Sequence, residues 1–241
     1  MPSQALLKKI AALKVQKYRQ KYDQFCVEGR KGVEELIHSD YVVHNILATE
    51  KYLERNSSSA ITEIISDSEM QKLSSFTTAP GILAVASMRN TAHVNWDVPV
   101  ICCLDGISDP GNLGTIIRTA DWFGFHHFLL SEDCTDFYNP KSLSATMGSF
   151  TRCYFKYADL ATELENKNAA ACVLNGFAIA DWKPEFPLYL VIGSESHGIR
   201  ESLLPKLRDK ITIPGYGGAE SLNAAIAAGI VMEKLSRSLH R

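Results

Sequence analysis

The sequence predicts an α/β protein in which a parallel sheet flanked by helices is preceded by a smaller α/β unit. Strand-like apolar runs alternate with helical patterns along the chain, as expected for parallel strands joined by helices. The stretch "VPVICCLDGI", at 98–107, predicts a buried strand. Three predicted strands end in loops that contain glycine, at 105–114, 193–198 and 215–218. Since ligands of such sheets bind beyond the carboxyl ends of the strands, these loops mark the expected site.

The first 90 residues form the smaller unit. Their patterns predict helices at 5–22, 30–39 and 50–56, strands at 25–29, 43–49 and 81–87, and a strand followed by a helix over 63–75. Residues 88–99 lack clear periodicity and separate this region from the next. We therefore predict a domain at 1–90, a linker at 91–98 and a second domain at 99–241.

The second domain follows a repeated plan of strand and helix. After the strand at 98–107, the patterns predict a glycine loop that leads into a helix over 109–124, strands at 126–132, 153–157 and 171–177, and helices at 139–149 and 159–167. The stretches 188–207 and 210–240 each predict a strand, a loop and a helix.

The last loop, "IPGYGGAESLN", is unusual because three of the four residues at 215–218 are glycines. We expect Gly215, Gly217 and Gly218 to adopt positive φ and to allow a ligand to approach the backbone closely. Ser221 is the predicted N-cap of the alanine-rich helix that follows. A backbone loop before a helix N-terminus suits an adenine or a carboxylate. The alternative is a tight turn before a buried helix.

Composition excludes several classes of protein. With 46% hydrophobic and 22% charged residues and a net charge of −2, the chain is typical of a globular protein and is not a purely electrostatic nucleic-acid binder. The six cysteines form no C-x-x-C pair, and we predict no metal site. The chain shows no secretory signal pattern and no apolar stretch of about 20 residues, so we expect no membrane association and a cytosolic location.

The glycine loops lack the common phosphate-binding fingerprints. Neither G-x-G-x-x-G nor G-x-x-x-x-G-K-[ST] occurs in them, which disfavours NAD and ATP. Their exposed backbone and few charges suit a ligand rich in hydrogen-bonding edges. We expect Asn112 and Arg118 to reach the crevice at the strand ends, where an arginine can clamp a phosphate or carboxylate. The alternative is that Arg118 only pairs with Asp105 or Asp121.

Three segments together resemble the sequence motifs of the SpoU (TrmH-type) RNA ribose 2′-O-methyltransferases of the SPOUT class. They are "DPGNLGTIIRTADWFG", with its N-x-G-x-x-x-R element, "LVIGSESHGI", and "IPGYGGAESLNAAIAAGI", with its S-L-N element. The stretches "KYRQKYDQFCVEG" and "APGILAVA" resemble the family's substrate-binding domain. The sequence departs from the family pattern in three places: Ser196 replaces a glycine, Gly215 replaces a methionine, and "APGILAV" lacks the glutamine that usually stands between its proline and glycine.

The resemblance implies a C-terminal trefoil knot that holds S-adenosylmethionine largely through main-chain groups, a fold that periodicity alone would not suggest. The implied cofactor-binding positions are Gly193, Ile213 and Leu222, with Gly198, Gly215 and Gly218 in the same loops. The implied catalytic positions are Arg118, Asn112, Glu195, Ser221 and Asn223, of which Glu195 and Asn223 shape the pocket.

The resemblance also implies two partners. RNA is expected at the basic N-terminal segment, where Lys17, Arg19 and Lys21 lie beside Tyr18 and Tyr22 on a predicted helix. The alternative is that these side chains form only a solvated helix face. A homodimer is expected through the C-terminal helix, which offers Ile226, Ile230 and Leu235. Those apolar side chains could equally be covered by the protein's own sheet.

The reaction implied by the resemblance is methylation of a ribose 2′-hydroxyl in ribosomal or transfer RNA. Two alternatives remain open at this level. One is an RNA-binding homologue that has lost catalysis, which the retained polar residues of all three motifs disfavour. The other is a SPOUT enzyme that methylates a base nitrogen.

Overall fold

A computed structural model describes residues 2–56, 60 and 62–240, which fold into two compact units. The N-terminal unit contains the residues up to Asn90 together with Asp136–Thr151, and the C-terminal unit contains Thr91–Thr135 and the residues from Arg152 onward. The segment Asp136–Thr151 lies within the predicted domain 99–241 but packs with the N-terminal unit.

The secondary structure follows the predicted alternation of strands and helices. In chain order the helices are α1 (Gln4–Ala12), α2 (Gln16–Tyr22), α3 (Arg30–Ile37), α4 (Glu50–Leu53), α5 (Asp67–Leu73), α6 (Pro110–Trp122), α7 (Pro140–Thr146), α8 (Leu160–Glu163) and α9 (Ala224–Leu239). The strands are β1 (Gln24–Glu28), β2 (Val43–Thr49), β3 (Glu63–Ile65), β4 (Ile82–Ser87), β5 (Val100–Asp105), β6 (His127–Leu130), β7 (Tyr154–Tyr157), β8 (Ala169–Ala178), β9 (Leu188–Gly193) and β10 (Asp209–Thr212).

The N-terminal unit contains a four-stranded sheet in the order β1-β4-β2-β3, in which β4 is buried from Ile82 to Ala86. Apolar residues of α1 and α5 pack with one set of strand residues in a buried cluster. An aromatic cluster forms around Phe25 of β1, whose ring centroid lies 4.3 Å from that of Tyr138 and 6.0 Å from that of Phe150. This aromatic packing explains why the segment Asp136–Thr151 belongs to the N-terminal unit.

The prediction of a single helix at 5–22 is wrong, because residues Leu13–Val15 are not helical and separate α1 from α2. Arg19, which is 2% exposed, donates hydrogen bonds of 2.8 Å to the carbonyl oxygens of Leu13 and Lys14 at this break. Its guanidinium also pairs with the carboxylate of Asp136. The prediction that Arg19 contacts RNA is therefore wrong, because its side chain is buried and its guanidinium donates hydrogen bonds to groups of its own unit.

The C-terminal unit has the predicted parallel sheet, with six strands in the order β10-β8-β9-β5-β6-β7. Every residue of β5 is buried, which is typical of a central parallel strand. Asp105, the last residue of β5, lies in register with Gly193, the last residue of β9. The loops that follow these two strands therefore begin side by side at one edge of the sheet.

Two predicted details of the C-terminal unit are wrong. Residues 110–114 are helical and belong to α6, so the first glycine loop is short and only Gly106 in it has positive φ, at +68°. The helix predicted after β9 is reduced to a single 3-10 turn at Leu204–Lys206. Among the described residues, no helix combines the length and apolar character needed to cross a bilayer.

Candidate active site

Three polar side chains from distant parts of the chain meet at the carboxyl edge of the C-terminal sheet. The side-chain nitrogen of Asn223 donates a hydrogen bond of 2.9 Å to Oδ1 of Asn112 and another to Oε1 of Glu195. The backbone N–H of Ala224 donates to the same Glu195 oxygen at 3.3 Å. Asn112 lies in the first turn of α6, Glu195 in the loop after β9 and Asn223 directly before α9. The structure thus brings together three of the predicted catalytic residues.

Asn223 also begins the helix that carries the third motif. Its side-chain oxygen accepts hydrogen bonds from the backbone N–H groups of Ala225, at 3.0 Å, and Ile226, at 3.3 Å. The amide therefore uses its oxygen as the N-cap of α9 and its nitrogen for Glu195 and Asn112. The prediction of Ser221 as the N-cap is wrong, because Ser221 is exposed and makes no hydrogen bond with the residues that the structure describes.

Asn112 is held in place by the start of its own helix. Asp109 is the N-cap of α6, and its carboxylate accepts the backbone N–H of Asn112 at 2.7 Å. Pro110 follows in the first turn, where its fixed φ suits a helix start. The first motif therefore presents Asn112 from a rigid helix terminus.

The loop after β9 is held tightly on itself. Ser194 and Gly198 exchange two backbone hydrogen bonds, of 3.0 Å and 2.9 Å, and Gly198 has a positive φ of +65°. A Cβ atom on Gly193 would lie 2.3 Å from the carbonyl carbon of Gly198. Glycine is required at 193 because the two backbone segments are packed against each other, and this close packing presents Glu195 at the tip of the loop.

The loop before α9 has the opposite character. Gly215, Gly217 and Gly218 have no heavy atom within 4 Å of an added Cβ, and none of them has positive φ, so the predicted conformational role of these glycines is wrong. Within the described part of the chain, no hydrogen bond uses the backbone of residues 214–222. This stretch therefore presents a row of free backbone donors and acceptors.

These groups fit S-adenosylmethionine. An adenine edge needs alternating donors and acceptors, which free backbone groups of 214–222 provide, and the apolar side chain of Leu222, 45% exposed, offers a surface for a ring face. Ile213 directly precedes this stretch, and Gly193 and Gly198 lie in the neighbouring motif. The described residues contain no group of three or more histidine, cysteine, aspartate or glutamate side chains placed to hold a metal ion.

Arg118 lies on α6, six residues after Asn112 and hence about 9 Å further along the helix axis. It is exposed and has no hydrogen-bond or ion-pair partner among the described residues. Both carboxylates that were considered as its structural partners are engaged elsewhere, since Asp105 pairs with Arg200 and Asp121 pairs with Arg152. The guanidinium of Arg118 is therefore available for a ligand, although it does not join the cluster of Asn112, Glu195 and Asn223.

The two cysteines of β5 are unreactive because they are buried. Cys102 and Cys103 are fully buried, as predicted, and burial raises the pKa of Cys102 to about 12. A thiol with such a pKa stays protonated at neutral pH and does not act as a nucleophile.

Sequence reasoning missed one arginine at this edge of the sheet. Arg200 follows the loop after β9 and pairs with Asp105 and Asp133. The only signal in the sequence is weak: an aspartate, Asp105, is the last residue of an apolar strand. No local pattern links Asp105 to Arg200, which lies 95 residues away.

Comparisons with known proteins agree with this geometry. Residues 99–233 match the SpoU rRNA Methylase family, and residues 5–84 match the MRM3-like substrate binding domain. The chain is 31% identical over 233 residues to the 23S rRNA (guanosine(2553)-2′-O)-methyltransferase RlmP of Bacillus subtilis, with 92% of each protein covered.

Two solved structures resemble the whole chain. A putative RNA methyltransferase of the TrmH family from Porphyromonas gingivalis is 31% identical, with a TM-score of 0.85 and with 98% of this chain and 99% of that chain covered. The AdoMet-bound rRNA methyltransferase from Sinorhizobium meliloti is 25% identical, with a TM-score of 0.83 and with 99% and 97% covered. Since the family match spans more than half of the chain and includes all three segments that meet at Asn223, this protein belongs to the SpoU rRNA methylase family.

Proposed function

We propose that this protein is an S-adenosylmethionine-dependent methyltransferase that methylates a ribose 2′-hydroxyl, with ribosomal RNA as the substrate class to test first. The observation that carries the proposal is the hydrogen-bonded cluster of Asn112, Glu195 and Asn223, which unites the three motifs beside the free backbone of residues 214–222. The Bacillus subtilis relative acts on 23S rRNA, which favours ribosomal over transfer RNA. The trefoil knot and the cytosolic location stay predictions.

S-adenosylmethionine, when bound, supplies a methyl group on a sulfonium, which is a good leaving group. The protein needs only to align the ribose oxygen behind that carbon, and the hydroxyl proton passes to solvent as the oxygen–carbon bond forms and the carbon–sulfur bond breaks. The backbone of residues 214–222 and the loop that carries Gly193 and Gly198 would hold the cofactor. Arg118 would contact the RNA at the reacting ribose or its phosphate. A protonated arginine is a poor base but a good clamp, because its planar fork of N–H donors matches a phosphate.

The function is tested by incubating the purified protein with protein-free ribosomal RNA and S-adenosylmethionine, followed by mass spectrometry of the digested RNA. We expect a mass gain of one methyl group on a ribose. A methyl group on a base would show the base-methylating alternative to be correct. Failure to bind S-adenosylmethionine in a calorimetric titration would show that the chain is an RNA-binding homologue without catalysis.

A homodimer is supported by exposed apolar side chains on α6 and α9. These helices pack together where Thr119 approaches Gly229. Beside this contact, Ile226 and Ile230 are 56% and 38% exposed, and Trp122 is 85% exposed. The prediction that Leu235 lies at the interface is wrong, because this side chain is fully buried within its own unit. A spacing of four residues places Arg118 on the same face of α6 as Trp122, so a second copy covering Trp122 would lie close to the catalytic arginine.

RNA affinity is supported by the exposed side of α2 in the N-terminal unit. Tyr18 and Tyr22 stack with ring centroids 6.4 Å apart, and the ammonium groups of Lys9 and Lys21 lie 5.2 Å and 5.5 Å from the centroid of Tyr22. Lys17 is exposed on the same helix. Aromatic rings flanked by lysines suit stacked bases and their phosphates.

Asn223→Asp tests the cluster at the cofactor site. Aspartate keeps the oxygen that caps α9, but it places a second carboxylate against Glu195. We expect S-adenosylmethionine affinity in calorimetry to fall by about tenfold or more, with helix content unchanged. The double variant Asn223→Asp with Glu195→Gln restores a donor facing the new carboxylate and is expected to recover part of the affinity. Equal affinities in all variants would contradict the role of the cluster.

Arg118→Ala tests the catalytic arginine. We expect the methyl-transfer rate to fall by on the order of a hundredfold, the scale typical of losing one electrostatic contact at a reacting centre. Cofactor affinity and melting temperature should stay near those of the parent, because Arg118 has no partner among the described residues. Arg208→Ala, which removes an exposed arginine at the opposite edge of the sheet, is the matched control. A parent-like rate in Arg118→Ala would remove this residue from the mechanism.

Lys17→Glu and Lys21→Glu, made singly and together, test the RNA surface. We expect weaker RNA binding and a salt dependence that is shallower by about one unit for each lysine that contacts a phosphate. Lys183→Glu reverses an exposed lysine of the C-terminal unit and serves as the control. Fluorescence anisotropy with an RNA fragment at several salt concentrations measures both quantities. Unchanged affinity in the double variant would show that α2 does not contact RNA.

Ile226→Glu tests the dimer. Placing a charge on the exposed apolar side of α9 should convert a dimer to monomers in sedimentation experiments at micromolar concentration. Val42→Glu, which alters an exposed apolar residue of the N-terminal unit, should leave the mass unchanged. A parent protein that is monomeric and fully active would contradict the proposed assembly.

A further inference from the structure

Asp105 is a buried carboxylate at the edge of the sheet where the site lies. Its residue is 2% exposed, and it ends β5 in register with Gly193. A carboxylate in such a position is costly unless its oxygens accept hydrogen bonds from a cation or from N–H groups. Neither the family match nor the catalytic cluster explains why the chain places one here.

Arg200 satisfies both oxygens of this carboxylate. The backbone N–H of Arg200 donates to Oδ2 of Asp105 at 2.8 Å, and the side-chain Nε donates to Oδ1. Because one of these donors is main chain, the carboxylate fixes the position of the polypeptide at 200 as well as that of the guanidinium. The loop 194–199 is thereby closed at both ends, by β9 on one side and by Asp105 on the other.

A second set of hydrogen bonds holds the outer end of Arg200. Its Nη2 donates to Oδ1 of Asp133 at 2.8 Å, and that oxygen also accepts the hydroxyl of Ser131 at 2.6 Å. Ser131 in turn accepts the backbone N–H of Gly106 at 2.9 Å. These bonds join the chain segments that follow β5, β6 and β9, so the loop is tied to the rigid edge of the sheet.

We infer that Asp105, acting through Arg200, is a positioning residue for S-adenosylmethionine binding; this inference rests on the proposed function. The closed loop carries Glu195 at its tip, where Glu195 meets Asn223 and the first N–H of α9. Loss of the contact between Asp105 and Arg200 frees the loop at residue 200 and removes the fixed position of Glu195. Asp105 itself is buried and acts only by holding the loop through Arg200.

The inference is tested with Asp105→Asn, Arg200→Gln and the double variant, with Arg208→Gln as control. Arg208 pairs with Glu185 in an exposed ion pair at the opposite edge of the sheet. In the absence of cofactor, amide hydrogen exchange is expected to speed up over residues 194–200 in both single variants and to stay parent-like in the control. This measurement does not depend on the proposed activity.

Cofactor titrations and kinetics give the functional readout. We expect S-adenosylmethionine affinity to fall by about tenfold or more in each single variant, and the double variant to be no weaker than the weaker single one, because the two residues act as one unit. KM for S-adenosylmethionine should rise while kcat at saturation stays within about threefold of the parent, since Asp105 and Arg200 do not touch the reacting atoms. If the two residues only stabilised the fold, the variants would have a lower melting temperature, and KM would not rise selectively while kcat stayed near that of the parent.

The outcomes distinguish the inference from the proposed function. If Asp105→Asn does not fold, Arg200→Gln and the more conservative Arg200→Lys, which keeps the positive charge, carry the test. Parent-like exchange over 194–200 together with cofactor affinity within about twofold of the parent in a folded Arg200→Gln would overturn the inference. A parent protein that binds no S-adenosylmethionine would overturn the proposed function, while the exchange measurement would still decide whether Asp105 holds the loop.

Discussion

The side-chain amide of Asn223 is the contact on which the arrangement of the site depends. Its oxygen starts α9, and its nitrogen joins Glu195 and Asn112, so one planar group determines where the C-terminal helix begins and how the other two motifs sit against it. An amide suits this position because it is donor and acceptor at once. A carboxylate would repel Glu195, and a hydroxyl would be too short to span the three segments.

The two loops beside this cluster differ in how many hydrogen bonds they make within the protein. The loop after β9 is closed by its own backbone bonds, by the close packing of Gly193 on Gly198 and by the buried pair of Asp105 and Arg200. The backbone of 214–222, in the loop before α9, makes no hydrogen bond to any residue that the structure describes. A rigid loop beside one with free hydrogen-bonding groups allows a neutral adenine to be recognised through backbone groups.

Charge along the sequence did not predict charge at the surface. Within the basic N-terminal segment, Lys17 and Lys21 are exposed, whereas Arg19 on the same helix is buried against Asp136 and two carbonyl groups. The guanidinium can be buried because each of its three nitrogens donates at least one hydrogen bond, which the single ammonium of a lysine would achieve less well. Asp136 lies 117 residues away in sequence, so no local pattern could have distinguished Arg19 from its neighbours.

The sequence by itself determined the alternation of strands and helices, the parallel sheet and the three motifs, because periodicity and glycine placement are local properties. It also named Asn112, Glu195 and Asn223 through the family resemblance, and these three side chains meet in the structure. It could not determine which glycines are conformationally required. Gly193 is required because another backbone segment packs on it, whereas Gly215 lies in open space. Nor could it assign the cap of α9 to Asn223 rather than Ser221, or pair Asp105 with Arg200 rather than Arg118. Each of these choices depends on which groups the folded chain brings within hydrogen-bonding distance, and only the tertiary structure decides that.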